Sequence, residues 1–173
     1  MFMLKIYLAG PDIFKSDYQV HQSKLKEFCG KFGIILLCPV DDELMNVAGK
    51  SLSLRIFEQN IALIDQADIV MANLENFRGF EPDSGTVFEV GYAVGRGKMV
   101  WCYNAPLGAL VDQVKCDENG RDKDGYLVEN FGHGRNLMLM HACHHVSGDA
   151  IECVESIKRW IRDSSDVPDF VAP

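Results

Sequence analysis

The residues that invite a chemical reading lie between positions 77 and 95, in the stretch FRGFEPDSGTVFEVGYAVG. Asp83 or Ser84 can cap a helix starting there, because a short polar side chain accepts a hydrogen bond from the free N–H groups of the first turn. The helix that follows carries Thr, Val, Phe, Val, Tyr, Ala and Gly, with a single acid, Glu89. A lone carboxylate in an apolar helix is costly to bury unless something binds it or uses it. Its neighbours offer little polar surface for a solvated stripe, and Gly91 and Gly95 are expected to pack closely on a sheet. Near the helix start Glu89 also feels the positive end of the dipole, which favours the ionised form that a nucleophile or a base needs. Asp83 supplies a second carboxylate. Two carboxylates around a glycosidic bond can form a covalent glycosyl-enzyme and protonate or orient the leaving group.

Such groups need a frame. Short apolar runs alternate with helix-period stretches, the pattern of a parallel sheet covered by crossover helices. Strands are expected at 4–9, 34–38, 69–74 and 99–103, with a possible edge strand near His145 and Val146. Helices are expected at 17–32, turning Val20, Leu25 and Phe28 inward, and at 51–66, with Leu54, Phe57, Ile61 and Ile64 on one stripe. Two more are expected at 84–95 and 151–162, with a short apolar segment at 136–140. The loop 40–49 is long for its place and is a candidate lid, whereas the charged run 117–124 is a surface loop or flap. The fold class is therefore α/β, a doubly wound, flavodoxin-like parallel sheet of about five strands, whose ligands bind beyond the carboxyl ends of the strands. On that rule the loops 10–15, 39–49 and 75–83 face the ligand, while Asp65 and Asp68 stand at the opposite edge in structural roles. The chain reads as one domain, 1–163, with a C-terminal tail, 164–173.

Composition narrows the ligand. Among 173 residues, 47% are hydrophobic, enough for one sizeable core. The formal charge of -8, spread over scattered carboxylates, argues against a nucleic-acid groove or an anionic membrane surface. No apolar run approaches the roughly 18 residues of a membrane span, and the start MFMLKIYLAG lacks the pattern of a signal peptide. None of the six cysteines lies in a CxxC, and Cys29, Cys38 and Cys102 fall inside apolar patterns, so reduced core thiols in a cytoplasmic protein are expected. His141, Cys143, His144 and His145 suggest zinc only superficially, since His141 and His145 alone have helical i,i+4 spacing; no metal is expected. Without a GxGxxG after the first strand or a GxxxxGK[ST], no cofactor is expected either.

Taken together, KIYLAGPDIF, RIFEQNIALIDQADIV, FRGFEPDSGTVFEVGYA and GRNLMLM resemble the nucleoside 2-deoxyribosyltransferase family, in family order and over nearly the whole chain. A fragment such as SGTVFE alone is not specific; the combination is. The resemblance implies that Glu89 attacks the anomeric carbon of a 2'-deoxynucleoside, that the base leaves, and that a second free nucleobase takes the sugar with retained configuration, a reaction of nucleotide salvage. It implies that Tyr7 orients the nucleophile and that Asp83 serves sugar recognition and proton management. It further implies that Asn136 reaches a neighbouring subunit's site, which requires a homo-oligomer. By residue type alone, Tyr7 is equally an ordinary strand aromatic, Asp83 a helix cap, and Asn136 a turn or cap asparagine. Gly10, Phe14 and Gly85 are further candidate substrate contacts, and the loops around Ile13, Phe14, Met45 and Phe77 would set base preference.

One departure concerns Asn60. Some members of the family carry an aspartate, the presumed proton donor to the base, where chain register places this amide. An amide cannot donate a proton as an acid does, so protonation would fall to Asp83 or water, with Asn60 reading the base edge or simply buried and satisfied. Two other functions share the pattern: a hydrolase of nucleosides or their 5'-monophosphates using the same Glu89, and a noncatalytic nucleoside sensor. EPDSGT lacks the doubled glycine before GT found in phosphoribohydrolases with a GTxxE helix, which favours the transferase.

Overall fold

The computed structural model describes residues 3–39 and 51–165. Five strands, β1 (Leu4–Ala9), β2 (Ile34–Leu37), β3 (Ile69–Asn73), β4 (Met99–Tyr103) and β5 (His144–His145), form one parallel sheet in the order β2-β1-β3-β4-β5. That is the flavodoxin-like winding expected of the sequence. Helices α1 (Tyr18–Gly30) and α6 (Ala150–Ser165) cover one face. The other is covered by α2 (Leu52–Gln66), α3 (Ser84–Gly95) and the short α5 (Leu137–Ala142), while α4 (Leu110–Gln113) forms a single turn after β4. With both faces covered, a central strand such as β3 is apolar up to its last residue, Asn73, and wholly buried.

Strand parity decides the chemistry. Ile6 and Leu8 enter the core half beneath α1 and α6, whereas Tyr7 and Ala9 enter the half beneath α2 and α3. The register pairs Tyr7 with Leu37 on one side and with Val70 on the other, so the phenol is carried to the face on which Glu89's helix packs. A one-residue slip of β1 would send it to the opposite face. At the amino edge Asp68 is tied to Lys5 in both directions, each bond 2.8 Å, and Asp65 accepts from Arg96 at 2.9 Å and Tyr92 at 3.1 Å. Both acids are structural.

Three local expectations fail. Val20 is 55% exposed, Leu54 43% and Phe57 50%, and nothing lies within 4 Å of a Cβ built on Gly91 or Gly95, both of which face outward. Because α2 and α3 lie side by side and touch through Phe57 and Phe88, ring centroids 6.0 Å apart, their apolar stripe is wider than the sheet beneath can cover. The edge strand starts one residue earlier than expected, and the charged run at 117–124 is two turns built on Asp117 and Asp122. The expected lid at 40–49, with Met45, lies outside the described residues, as does most of the expected tail; α6 itself runs to Ser165. No described helix is long and apolar enough to cross a membrane.

Candidate active site

At the start of α3, Asp83 rather than Ser84 is the cap. Its Oδ2 accepts from the Thr86 N–H at 2.9 Å and from the Thr86 hydroxyl at 3.1 Å, with Thr86 itself buried. This fixes the helix over the carboxyl ends of β1 and β3 and places Glu89 in its second turn. There the phenol of Tyr7, a fully buried residue, donates to Glu89 Oε1 at 2.7 Å. From α2, Asn60 Nδ2 donates to the same oxygen at 3.4 Å, while Asn60 Oδ1 is shielded from solvent and has no hydrogen-bond partner among the described residues. Both donors converge on Oε1, so Oε2 is left without a hydrogen bond among the described residues.

Burial pushes the Glu89 carboxyl up to about 7; the Tyr7 bond pulls it down, the charge of Asp83 raises it, and the Asn60 bond pulls it down again. The helix dipole had suggested the ionised form, but a helix N-terminus contributes only about 0.3–1 kcal/mol, and desolvation outweighs it. The Tyr7 phenol is held far above the usual range by burial and by the facing carboxylate, so it remains a donor.

The floor beside this cluster is laced together. A Cβ on Gly10 would lie 2.8 Å from Asn73 Cβ and 3.0 Å from Asp12 Oδ2, so only glycine lets the end of β1 approach β3 this closely. Asn73, buried at the end of β3, donates to Asp12 at 2.8 Å and accepts from the Glu75 N–H at 3.0 Å; Lys15 bridges Asp12 and Glu75 at 2.9 and 2.8 Å. Phe14, 63% exposed, stacks on Phe77 at 5.4 Å, with the Arg78 guanidinium over both rings. Gly85 sits against the cap, where a Cβ would lie 3.0 Å from Asp83 Oδ2. A cavity of about 420 Å³ opens on the α1 and α6 side of the sheet, between Leu8, Tyr18, Leu25, Tyr103 and Ile151, and reaches Asp12 and Lys15 of this floor.

Asn136 stands apart from Glu89. It caps α5, its Oδ1 accepting from the Met138 N–H at 3.0 Å, and its Nδ2 donates to Glu129, whose other oxygen accepts from the Leu137 N–H. No hydrogen bond joins it to Tyr7, Asp83 or Glu89 among the described residues. The histidines have other company: His145 bonds the Met140 carbonyl, His144 stacks on Trp101, and His141 meets His133 edge-on. Among the described residues no group of three or more His, Cys, Asp or Glu side chains could hold a metal ion, and no disulfide joins any of the six cysteines. Sequence reasoning missed Asn73, Glu129 and Arg135, each a polar side chain whose partners come from tertiary structure or a loop and leave no local periodic signal.

Two carboxylates and a phenol at the carboxyl edge of a doubly wound sheet define a flavodoxin-like α/β protein equipped for carboxylate chemistry. Residues 6–138 match the family model described as nucleoside 2-deoxyribosyltransferase, and the chain belongs to that family. A 2-desoxiribosyltransferase from Leishmania mexicana is 30% identical, with 92% of this chain and 97% of that one superposed at a TM-score of 0.70. The 2-deoxyribosyltransferase of Bacillus psychrosaccharolyticus, 23% identical, shares the fold at a TM-score of 0.56 over 87% of this chain and 90% of that one. A protein of Thermofilum pendens named as a putative 2'-deoxynucleoside 5'-phosphate N-hydrolase is 29% identical over 98 residues, which make up 56% of this chain and 65% of that relative's length.

Proposed function

We propose that this protein transfers 2-deoxyribose between nucleobases by cleaving and remaking the N-glycosidic bond of 2'-deoxynucleosides. The observation that carries this reading is the 2.7 Å bond from the Tyr7 hydroxyl to Glu89, which holds one carboxylate oxygen and leaves the other free to attack. In the first step a Glu89 oxygen forms a bond to C1', the bond from C1' to the base nitrogen breaks, and its electron pair leaves with the base, which takes up a proton. In the second, a nitrogen of the incoming base displaces the Glu89 ester and loses its proton. Asp83 supplies or relays that proton through Oδ1, since Oδ2 is occupied by Thr86. The partnerless Asn60 Oδ1 faces the base edge, and Phe14 with Phe77 offers a stacking surface beside Gly10 and Gly85.

The second reading is hydrolysis of a nucleoside or its 5'-monophosphate with the same nucleophile, favoured by the Thermofilum relative. Incubating deoxyinosine with and without adenine or cytosine, then separating products by chromatography, distinguishes the two. Transfer yields the new deoxynucleoside in proportion to hypoxanthine; free deoxyribose formed at the same rate whether or not a base is added would establish hydrolysis. Binding with no turnover of any nucleoside or nucleoside 5'-monophosphate would leave only a sensor.

We also propose a homo-oligomer whose sites are completed across the interface. Its support is the apolar face formed by Leu54, Phe57, Phe88 and Val94, each between 42% and 51% exposed, which flanks the helix bearing Glu89. Asn136, now held by Glu129, would exchange that partner for a neighbour's sugar. Mixing inactive Glu89→Ala with weakened Asn136→Ala chains should then restore activity in hybrid assemblies; a fully active monomer by light scattering would rule out shared sites.

A further inference from the structure

Arg135 is wholly buried, an unusual place for a guanidinium. Its Nε and Nη2 both donate to the Leu74 carbonyl, at 2.9 and 2.7 Å, and Nη2 also donates to Asn76 Oδ1 at 2.5 Å. Nη1 donates to the carbonyls of Phe80 at 2.7 Å and Gly134 at 3.2 Å. Every one of these acceptors is neutral. Burial pulls the Arg135 pKa below its usual range, and the charge of Glu81 only opposes this. A buried charge without a bonded counter-ion is a poor source of stability compared with an apolar side chain of similar volume.

What the acceptors have in common is one loop. Leu74 follows the last residue of β3, Asn76 and Phe80 stand on its two limbs, and the Phe77 N–H closes it on the Glu81 carbonyl at 2.9 Å, with Arg78 in the left-handed region at φ 55°. The loop ends at Asp83, the cap of α3. On the other side, Arg135 is anchored by its neighbours. A Cβ on Gly134 would lie 1.9 Å from the Pro106 carbonyl oxygen, and the Leu110 N–H donates to the His133 carbonyl at 2.7 Å. The segment is thus fixed to the connection after β4 and extends its guanidinium into the connection after β3.

We infer that Arg135 is a positioning residue: by gripping both limbs of the 74–82 loop it sets where Asp83 caps α3, and so where Glu89 meets Tyr7. It also couples that loop to Asn136, the next residue along the chain. This inference rests on Glu89 being the nucleophile. Arg135→Lys keeps the charge but loses the planar fork, and Asn76→Ala removes one acceptor while leaving the guanidinium in place. Both are to be compared with the wild type in single-turnover formation of the glycosyl-enzyme, normalised to folded protein, and in amide hydrogen exchange.

The expected result for Arg135→Lys is glycosyl-enzyme formation slowed by about tenfold to a hundredfold with KM changed far less, together with faster exchange confined to 75–86. Asn76→Ala should move both readouts the same way by less, and it decides the matter alone if the lysine variant does not fold. Unchanged rates per folded molecule, or faster exchange spread over the whole sheet, would make Arg135 merely structural and overturn the inference. Should the wild type form no glycosyl-enzyme with any deoxynucleoside, the assignment of Glu89 falls instead, and exchange at 75–86 still reports whether Arg135 holds the loop.

Discussion

Glu89→Ala is expected to lower turnover by several orders of magnitude while nucleoside binding remains measurable. The substitution removes the carboxylate bonded to Tyr7, and with it the proposed covalent route, but spares Asp83, Phe14, Phe77 and Asn60, to which the proposed function assigns contacts with sugar and base. A nucleoside bearing a 2-fluorinated arabinosyl sugar separates this role from a merely electrostatic one. Fluorine destabilises the cationic transition states of both steps, so an intermediate that forms can persist long enough for mass spectrometry. The wild type should carry a sugar adduct on the peptide containing Glu89, and Asp83→Ala should react more slowly yet still be labelled. An adduct on Asp83, or turnover near the wild-type rate in the alanine variant, would mean that the wrong carboxylate has been assigned.

The second large effect is on pH dependence. Attack needs the ionised carboxyl, and burial has pushed Glu89 up to about 7, so kcat/KM should rise with pH and level off above that value. At pH 6 about one tenth of the plateau remains. Tyr7 donates to the ionised form and so holds the carboxyl lower than burial alone would. In Tyr7→Phe, which keeps the buried ring and loses the hydroxyl, Glu89 becomes a weaker acid and the acidic limb moves to higher pH. A hydrogen bond to a charged group contributes about 1.5–3 kcal/mol, which corresponds to about one to two pH units. At neutral pH the variant should therefore be slower by about fivefold to fiftyfold, recovering part of the loss as the solution is made alkaline. Kinetics of both proteins between pH 5 and 9 test this, and a limb that stays in place would show that Tyr7 does not act on the group that titrates.

Much of this arrangement was legible from the chain because it is written in periodicity. Strand runs such as IVMAN and MVWCY, separated by helix-period stretches, point to the parallel sheet, and the missing polar stripe around Glu89 singles out the carboxylate that Tyr7 bonds. What periodicity cannot report is what covers a face. Leu54 and Phe57 do share a stripe, yet both are about half exposed, and Phe57 meets Phe88. The same ambiguity misplaced Gly91 and Gly95, whose lack of a side chain suits close packing from either side of the helix. Arg135 was invisible for another reason: it bonds Leu74, 61 residues away, and no local rule distinguishes an arginine bound for the core from one bound for water. The pairing of Asn73 with Asp12, also 61 residues apart, escaped in the same way.

The sheet contains no hairpin. Its central strand β1 pairs with β2 and β3, aligning Leu4 with Ile34 and Ile6 with Ile69, and the two oxygens that meet at the candidate site belong to residues 82 positions apart. Each pairing must close a long loop before any hydrogen bond or apolar contact offsets the lost chain entropy, which makes the order of events slow and non-local. Until β1 and β3 are side by side, Tyr7 has no carboxylate to face and Glu89 is an ordinary solvated acid. Reactivity is therefore a property that the chain acquires only on completing its topology: a partly synthesised or partly unfolded molecule contains both residues and has neither the depressed acidity nor the aligned oxygen on which the chemistry depends.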